Sequence, residues 1–156
     1  MVGCKSTSRF SSINKDIILT QTDTTVGFLS LDADKLYKIK SRSTKKQFIK
    51  VYSDFKTFNS TCRVPSSQKN LIRRSKKTTF IVKNRAFRVA KNTLNSQILR
   101  DTTCSYSTSA NKSNEKFSRV FCESKADIII EDKNSLYETR SSKLIKLNNK
   151  VKRRLR

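Results

Sequence analysis

Ile17-Ile18-Leu19-Thr20-Gln21-Thr22-Asp23-Thr24-Thr25-Val26-Gly27-Phe28 is the stretch on which the reading of this chain turns. Three aliphatic residues in succession, then a run of hydroxyl side chains around one acid, read as a buried strand and the turn leaving it. The strand is expected over residues 16–21 and the turn over 22–27. A short helix should follow over residues 31–39. Leu31, Ala33, Leu36, Tyr37 and Ile39 recur there at helical spacing, with Asp32 or Ser30 placed to cap it.

Working outward, residues 48–52 read as a strand. Residues 60–75 are polar, contain the single proline, Pro65, and read mostly as loop. Two strands, 78–82 and 86–89, are joined by a tight connection at 83–85. A short helix is expected over 92–99, a strand over 103–107, a helix over 117–126 and a strand over 127–131. Residues 144–147 and 151–155 complete the sheet. Strands and helices in loose alternation indicate an α/β (α+β) fold, a twisted mixed sheet with helices around it. No internal repeat or linker interrupts the 156 residues, a length that suits a single domain over 1–156.

Composition narrows the chemistry. Hydrophobic residues make up 35% of the chain, but they cluster in runs such as Ile128-Ile129-Ile130, which argues for folding over disorder. Histidine is absent, so imidazole bases, Ser-His-Asp triads and His-containing zinc sites are excluded. Cys4, Cys62, Cys104 and Cys122 form no C-x-x-C pair. There are only two glycines, Gly3 and Gly27, too few for a P-loop or a dinucleotide fingerprint. Neither zinc, haem nor a dinucleotide is expected as cofactor, and no metal ligand can be named. Residues 1–10 lack a signal peptide's apolar core, and no apolar run reaches the length of a membrane span. The expected setting is a reducing cytoplasm with free thiols, away from membranes.

The formal net charge is +23, from 35 Lys and Arg against 12 Asp and Glu. General Lys-rich composition accounts for part of this excess. It does not account for residues 55–100, where no acid occurs at all. Such charge calls for an anionic partner. Arg73, Arg74, Lys76 and Lys77 are its densest cluster, expected on a solvent-facing edge near a pocket mouth as an RNA-backbone contact.

Without glycine loops, a nucleotide's phosphates must be held by side chains. Three stretches offer them. Residues 21–28 place small hydroxyls at a strand end, where open sheets line their crevices; local capping by Thr22 or Asp23 is the plainer alternative. Lys40-Ser41-Arg42 places two cations at a helix end, where the macrodipole alone would also favour them. Ser107-Thr108-Ser109-Ala110-Asn111 gathers hydroxyls and an amide in one turn, which could equally be an Asx or ST turn.

Together these stretches resemble the YrdC-like family. Residues 22–28 resemble its P-T-[DE]-T-x-Y-G-L segment, Lys40-Ser41-Arg42 its K-x-R motif, and Ser109-Ala110-Asn111 its S-x-N motif. Phe87-Arg88-Val89 is similar to its V-R-V strand, and Thr79 to the threonine of P-G-P-x-T. Ser142-Lys143-Leu144 is similar to its late S-T-[IV], and Leu155-Arg156 to the arginine that follows. The likeness runs from about residue 17 to 156. Gln21 stands where the family has proline, Val26 where it has tyrosine, and Lys143 where it has threonine; Lys112-Ser113-Asn114 lacks the usual Ser-Gly.

The resemblance implies a YrdC/RibB-like fold with a large positive cavity on one face. It implies synthesis of threonylcarbamoyl-AMP from L-threonine, bicarbonate and ATP, with Mg²⁺ accompanying ATP, for tRNA threonylcarbamoyladenosine modification. Lys40, Arg42, Ser109 and Asn111 would be its catalytic and ATP-binding groups, with Arg156 also on the nucleotide. Thr22, Thr79, Ser107 and Ser142 would line the threonine site, and Arg88 is a further member. The other reading is a catalytically weak or inactive paralogue that binds nucleotide and double-stranded RNA or tRNA.

Overall fold

The computed structural model describes residues 16–41, 43–44, 46–90, 97–112, 115–149 and 151–156. Its first unit is the hairpin of β1 (Ile18–Gln21) and β2 (Val26–Ser30). Gln21 pairs with Val26 and Ile18 with Leu29 across an antiparallel ladder. The turn is shorter than expected, residues 22–25, and the residues after it form a strand. Val-Gly-Phe-Leu-Ser is too short, and too apolar on both faces, to show strand alternation in the sequence.

Helix α1 (Ala33–Lys40) follows, with Asp32 as its N-cap: Oδ1 accepts from the amides of Asp34 at 2.9 Å and Lys35 at 3.4 Å. That satisfies donors the first turn otherwise leaves open. It ends at Ser41 in the left-handed region, φ 45°.

β3 (Ile49–Tyr52) leads into α2 (Phe55–Thr61) and, after a 3₁₀ turn at Ser66–Gln68, α3 (Lys69–Arg74). These helices correct the expectation of a loop over 60–75. Each is a turn or two long and fully buries only Phe58 or Ile72, with Phe55 or Leu71 half-buried beside it, too few apolar positions to show a period. Asp54 caps α2 through the Thr57 amide at 2.8 Å. β4 (Thr78–Val82) and β5 (Arg85–Val89) form the expected hairpin. Lys83 and Asn84 both have positive φ, 47° and 61°, the pairing a two-residue hairpin turn of the strand's own twist requires.

The helix expected over 92–99 falls largely outside the described residues; Leu99–Asp101 is a 3₁₀ turn. β6 (Ser105–Ser109), α4 (Arg119–Glu123), β7 (Ile128–Ile130), β8 (Lys143–Leu147) and β9 (Lys152–Arg154) complete the chain, close to where the pattern puts them.

All nine strands join one mixed sheet in the order β7-β1-β2-β6-β3-β5-β4-β8-β9. The mixed α+β architecture expected from the sequence is thus what forms. Register decides what each face carries. Leu19 pairs with Phe28, Lys50 with Tyr106 and Phe87, and Phe80 with Phe87, so these side chains share one face. Helices α1 to α3 cover it. Leu36 of α1 packs with Leu19 and Phe28; Phe58 of α2 and Ile72 of α3 pack with Phe80 and Phe87. The opposite face carries Gly27 and Ser109, Ser107 and Ile49, Val51 and Arg88, and Thr79 and Leu144, each pair side by side.

Cys62 and Cys122 are free thiols, and burial pushes the Cys122 thiol's pKa up. Cys104 is disulfide-bonded, which corrects the expectation of free thiols at that position. No described helix is long and apolar enough to cross a membrane.

Phe58 is fully buried and stacks on Phe87 with ring centroids 4.4 Å apart, and meets Tyr52 edge-on at 5.3 Å. Phe58→Ala should cost about 3–5 kcal/mol by emptying this space. A urea titration should show the midpoint fall with an unchanged slope; an unaltered midpoint would mean that α2 does not hold the core.

Candidate functional site

The face not covered by α1 to α3 holds a cavity of about 830 Å³. Its floor is the alternate set of sheet residues: Gly27, Ser107 and Ser109, Ile49, Arg88 and Thr79. Gly27 is small for a reason. A Cβ there would come within 3.0 Å of the Thr108 carbonyl oxygen and the Thr22 methyl. A larger residue would need both neighbours to give by a few tenths of an ångström.

At one end, Lys40 leaves the last turn of α1 and turns inward. It is 8% exposed. Its Nζ donates to the Ser109 carbonyl at 3.1 Å, to the Asn111 Oδ1 at 3.0 Å and to the Asn111 carbonyl. The Ser109 hydroxyl donates to Asn111 Oδ1 at 2.7 Å, and Asn111 Nδ2 donates to the Glu115 carbonyl at 2.7 Å. Lys40, Ser109 and Asn111, some seventy positions apart, therefore converge. A helix-end lysine serving only the macrodipole would face water; this one faces the cavity. Arg42 lies outside the described residues, as do Ser113 and Asn114.

At the other end sits Arg88, 7% exposed. Its Nη1 donates to Asp23 Oδ1 at 2.8 Å and to Thr24 Oγ1 at 2.7 Å. Its Nε and Nη2 both reach Thr79 Oγ1, at 3.2 and 3.0 Å. Thr79 in turn shares a hydrogen bond with the Ser142 hydroxyl at 2.9 Å. A buried guanidinium thus fixes the hairpin turn, β4 and the entry to β8 at once. Arg156 donates from Nε to the Ser142 carbonyl at 3.2 Å, and both residues line the cavity.

Thr22 lines the cavity too, but its hydroxyl is engaged in the turn. It donates to the Thr25 carbonyl at 2.6 Å and accepts from the Thr24 and Thr25 amides. Local capping and cavity lining coincide there. Ser107 lies on the floor. Gln21, at the family's proline position, accepts from the Tyr137 amide at 3.1 Å and so anchors the segment that leads to Ser142.

Arg73, Arg74, Lys76 and Lys77 are exposed, as expected. They are not among the cavity's lining, but the Lys77 carbonyl accepts from the Lys143 amide, next to Ser142 at the cavity. Ile72, beside Arg73, packs in the cluster on the helix-covered face, and the Arg73 guanidinium lies 4.8 Å from the Phe55 ring centre.

Two members escaped the sequence reading. Read locally, Asp23 is only a cap for its own turn, and nothing marks Thr24 out from the hydroxyls around it. The signal was an acid in the turn and an arginine in a strand, but nothing in either segment says that they meet.

Removing one partner of a buried ion pair leaves the other charge unmatched. Asp23→Ala should destabilise the fold by about 3–5 kcal/mol, while Asp23→Ala combined with Arg88→Met should recover part of that loss. Thermal unfolding of the three proteins tests this; equal stability of wild type and the single variant would show that the pair is not needed.

No curated protein matches the chain. Among solved structures, E. coli YciO superposes with a TM-score of 0.73 at 16% identity, over 91% of this chain and 82% of that one. P. abyssi Sua5 complexed with L-threonine gives 0.72 at 18% identity, over 90% of this chain and 50% of that one. HypF in its phosphate- and nucleotide-bound form gives 0.65 at 16% identity, over 90% of this chain but 26% of that one. At these identities the likeness is one of fold, and the chain spans half of Sua5. The family model of Sua5, YciO and YrdC, described as telomere recombination, matches residues 14–156. With nearly the whole chain matched and the motif residues among the described residues gathered around one cavity, the chain belongs to the Sua5/YciO/YrdC family.

Proposed function

We propose that this chain joins L-threonine, bicarbonate and ATP into threonylcarbamoyl-AMP with release of pyrophosphate, in the cytoplasm, for the threonylcarbamoyladenosine modification of tRNA. One observation carries the reading. A single cavity has a lysine with a hydroxyl–amide pair at one end, and at the other a hydroxyl pair braced by a buried arginine. The first end suits phosphates and the second a hydroxy amino acid. Sua5 has been solved with L-threonine and HypF with phosphate and nucleotide, ligands of these two kinds.

The chemistry needs two bond exchanges. The threonine amine attacks the bicarbonate carbon and water leaves, giving a carbamate. A carbamate oxygen then attacks the α-phosphorus of ATP, and the electron pair of the broken P–O bond leaves with pyrophosphate. Both steps call for charge neutralisation and alignment more than for a titrating base. Lys40 and Arg42 would face the triphosphate, while Ser109 and Asn111 would donate to its oxygens. For that, Lys40 has to exchange carbonyl acceptors for phosphate oxygens. Thr22, Thr79, Ser107 and Ser142 would border threonine, with Arg156 closing over the nucleotide. Mg²⁺ would enter bound to the triphosphate, as part of the substrate.

A second reading, that of a paralogue with little or no turnover that binds nucleotide and double-stranded RNA or tRNA, is favoured by the four exposed cations at 73–77.

Purified protein should release pyrophosphate only when ATP, threonine and bicarbonate are all present. Arg42→Ala should weaken ATP binding about tenfold or more, the size of one charge-assisted contact. ATP binding without turnover would favour the paralogue; no ATP binding in calorimetry would sink both readings.

If the cluster grips RNA, log affinity for a duplex should fall with log salt by roughly 0.9 per phosphate contacted. Replacing Arg73, Arg74, Lys76 and Lys77 with Gln should make that slope shallower by about 3.6 and leave ATP affinity intact. An unchanged slope removes the cluster from RNA binding.

A further inference from the structure

We propose that the helix-covered face of the sheet carries a second binding site, a cavity between α1 and α2 that takes a small planar ring bearing one anionic group. The cavity measures about 370 Å³, within the range of about 300–1,000 Å³ common for small-molecule sites. It is independent of the function proposed above.

Alternation along one stretch of chain builds it. Phe48, Lys50 and Tyr52 project toward the helices at every second position, while Ile49 and Val51 face the other way. Tyr106 stands opposite Lys50 on β6. Tyr37 of α1 forms one wall, its ring 4.5 Å from that of Phe48. The end of α2 forms the other, with Cys62. Tyr37, Phe48 and Tyr106 belong to the core under α1, and Tyr52, Phe87 and Cys104 to the core under α2, so the cavity lies between the two clusters. Gln47, Phe48 and Ala86 line both this cavity and the larger one, and stand between them.

Its chemistry is one-sided. Lys50 and Arg85 both line it, and no carboxylate does among the described residues. The Lys50 ammonium lies 5.2 Å from the Tyr106 ring centre. Burial pushes its pKa down; Cys62 pulls it up and Arg85 pushes it down. Lys50 is half-buried and Arg85 exposed, so the cavity carries positive charge from wall to rim, a field that favours an anion. The aromatic walls add a preference for a flat ring over a bare ion, through stacking and cation–π contact. Nucleoside monophosphates and aromatic carboxylates both present this combination.

The site contains its own reporter. Cys62 is a free, half-buried thiol in the wall, its Sγ 3.1 Å from the Tyr52 hydroxyl, while the larger cavity has no cysteine in its lining. The full chain is treated with iodoacetamide, and alkylation of Cys62 is followed by peptide mass, with buried Cys122 as internal reference. Probes are AMP and 2-aminobenzoate, with adenosine (ring without charge) and inorganic phosphate (charge without ring) as controls.

AMP or 2-aminobenzoate should slow alkylation at Cys62 several-fold, and whichever does so identifies the anion's source. Adenosine and phosphate should not. Lys50→Met and the exposed Arg85→Gln should each raise the half-protecting concentration about tenfold, with L-threonine and ATP binding by calorimetry unchanged. The proposal is overturned if no probe protects Cys62, if adenosine protects as well as AMP, or if protection survives both substitutions. Failure of ATP or threonine binding, with Cys62 still protected, would count against the larger cavity alone.

Discussion

A guanidinium withdrawn from water must find acceptors for its donors, and Arg88 finds them on two segments that the chain keeps far apart. Asp23 and Thr24 come from the β1–β2 turn, 65 and 64 positions away; Thr79 comes from the neighbouring strand and passes the connection to Ser142. Desolvating both charges offsets much of their attraction, so such a pair contributes less to stability than its 2.8 Å separation suggests. Its larger effect is on placement. The observed packing of the turn against β4 and β5 satisfies Arg88, and through it the hydroxyls of Thr24, Thr79 and Ser142 are held together.

Strand alternation does the rest. The same sheet presents aromatic and aliphatic residues to the helices and small hydroxyl residues to the cavity. Phe80 and Phe87 lie one position from Thr79 and Arg88, yet on opposite faces. A register slip of one residue would bury the hydroxyls and expose the phenylalanines. The core therefore guards the site: whatever fixes Phe87 under α2 also points Arg88 into the cavity.

How much of this the sequence discloses depends on distance along the chain. Helix α1 is legible because Leu36 recurs on its spacing and Asp32 caps it. The β4–β5 hairpin is legible because apolar runs flank Lys83-Asn84. Helices α2 and α3 are not, because one buried residue apiece leaves no period to detect. Lys40 and Asn111 are found only by likeness to a family pattern, since local rules assign both to helix and turn ends. The Asp23–Arg88 pair is invisible to local reading: each charge looks ordinary until the sheet brings them together.

The sheet order also sets a timetable. β1 has β2 on one side, but its other neighbour is β7, with Ile18 opposite Ile128. The Ile17 amide likewise waits for the carboxylate of Asp127, 110 positions on. A chain emerging from the ribosome at about 5–20 residues per second thus presents one flank of an apolar strand, with its amides and carbonyls unanswered, for several seconds. Such a flank is a template for pairing with another nascent chain. That flank closes only when the Ile128-Ile129-Ile130 run arrives to pair with β1.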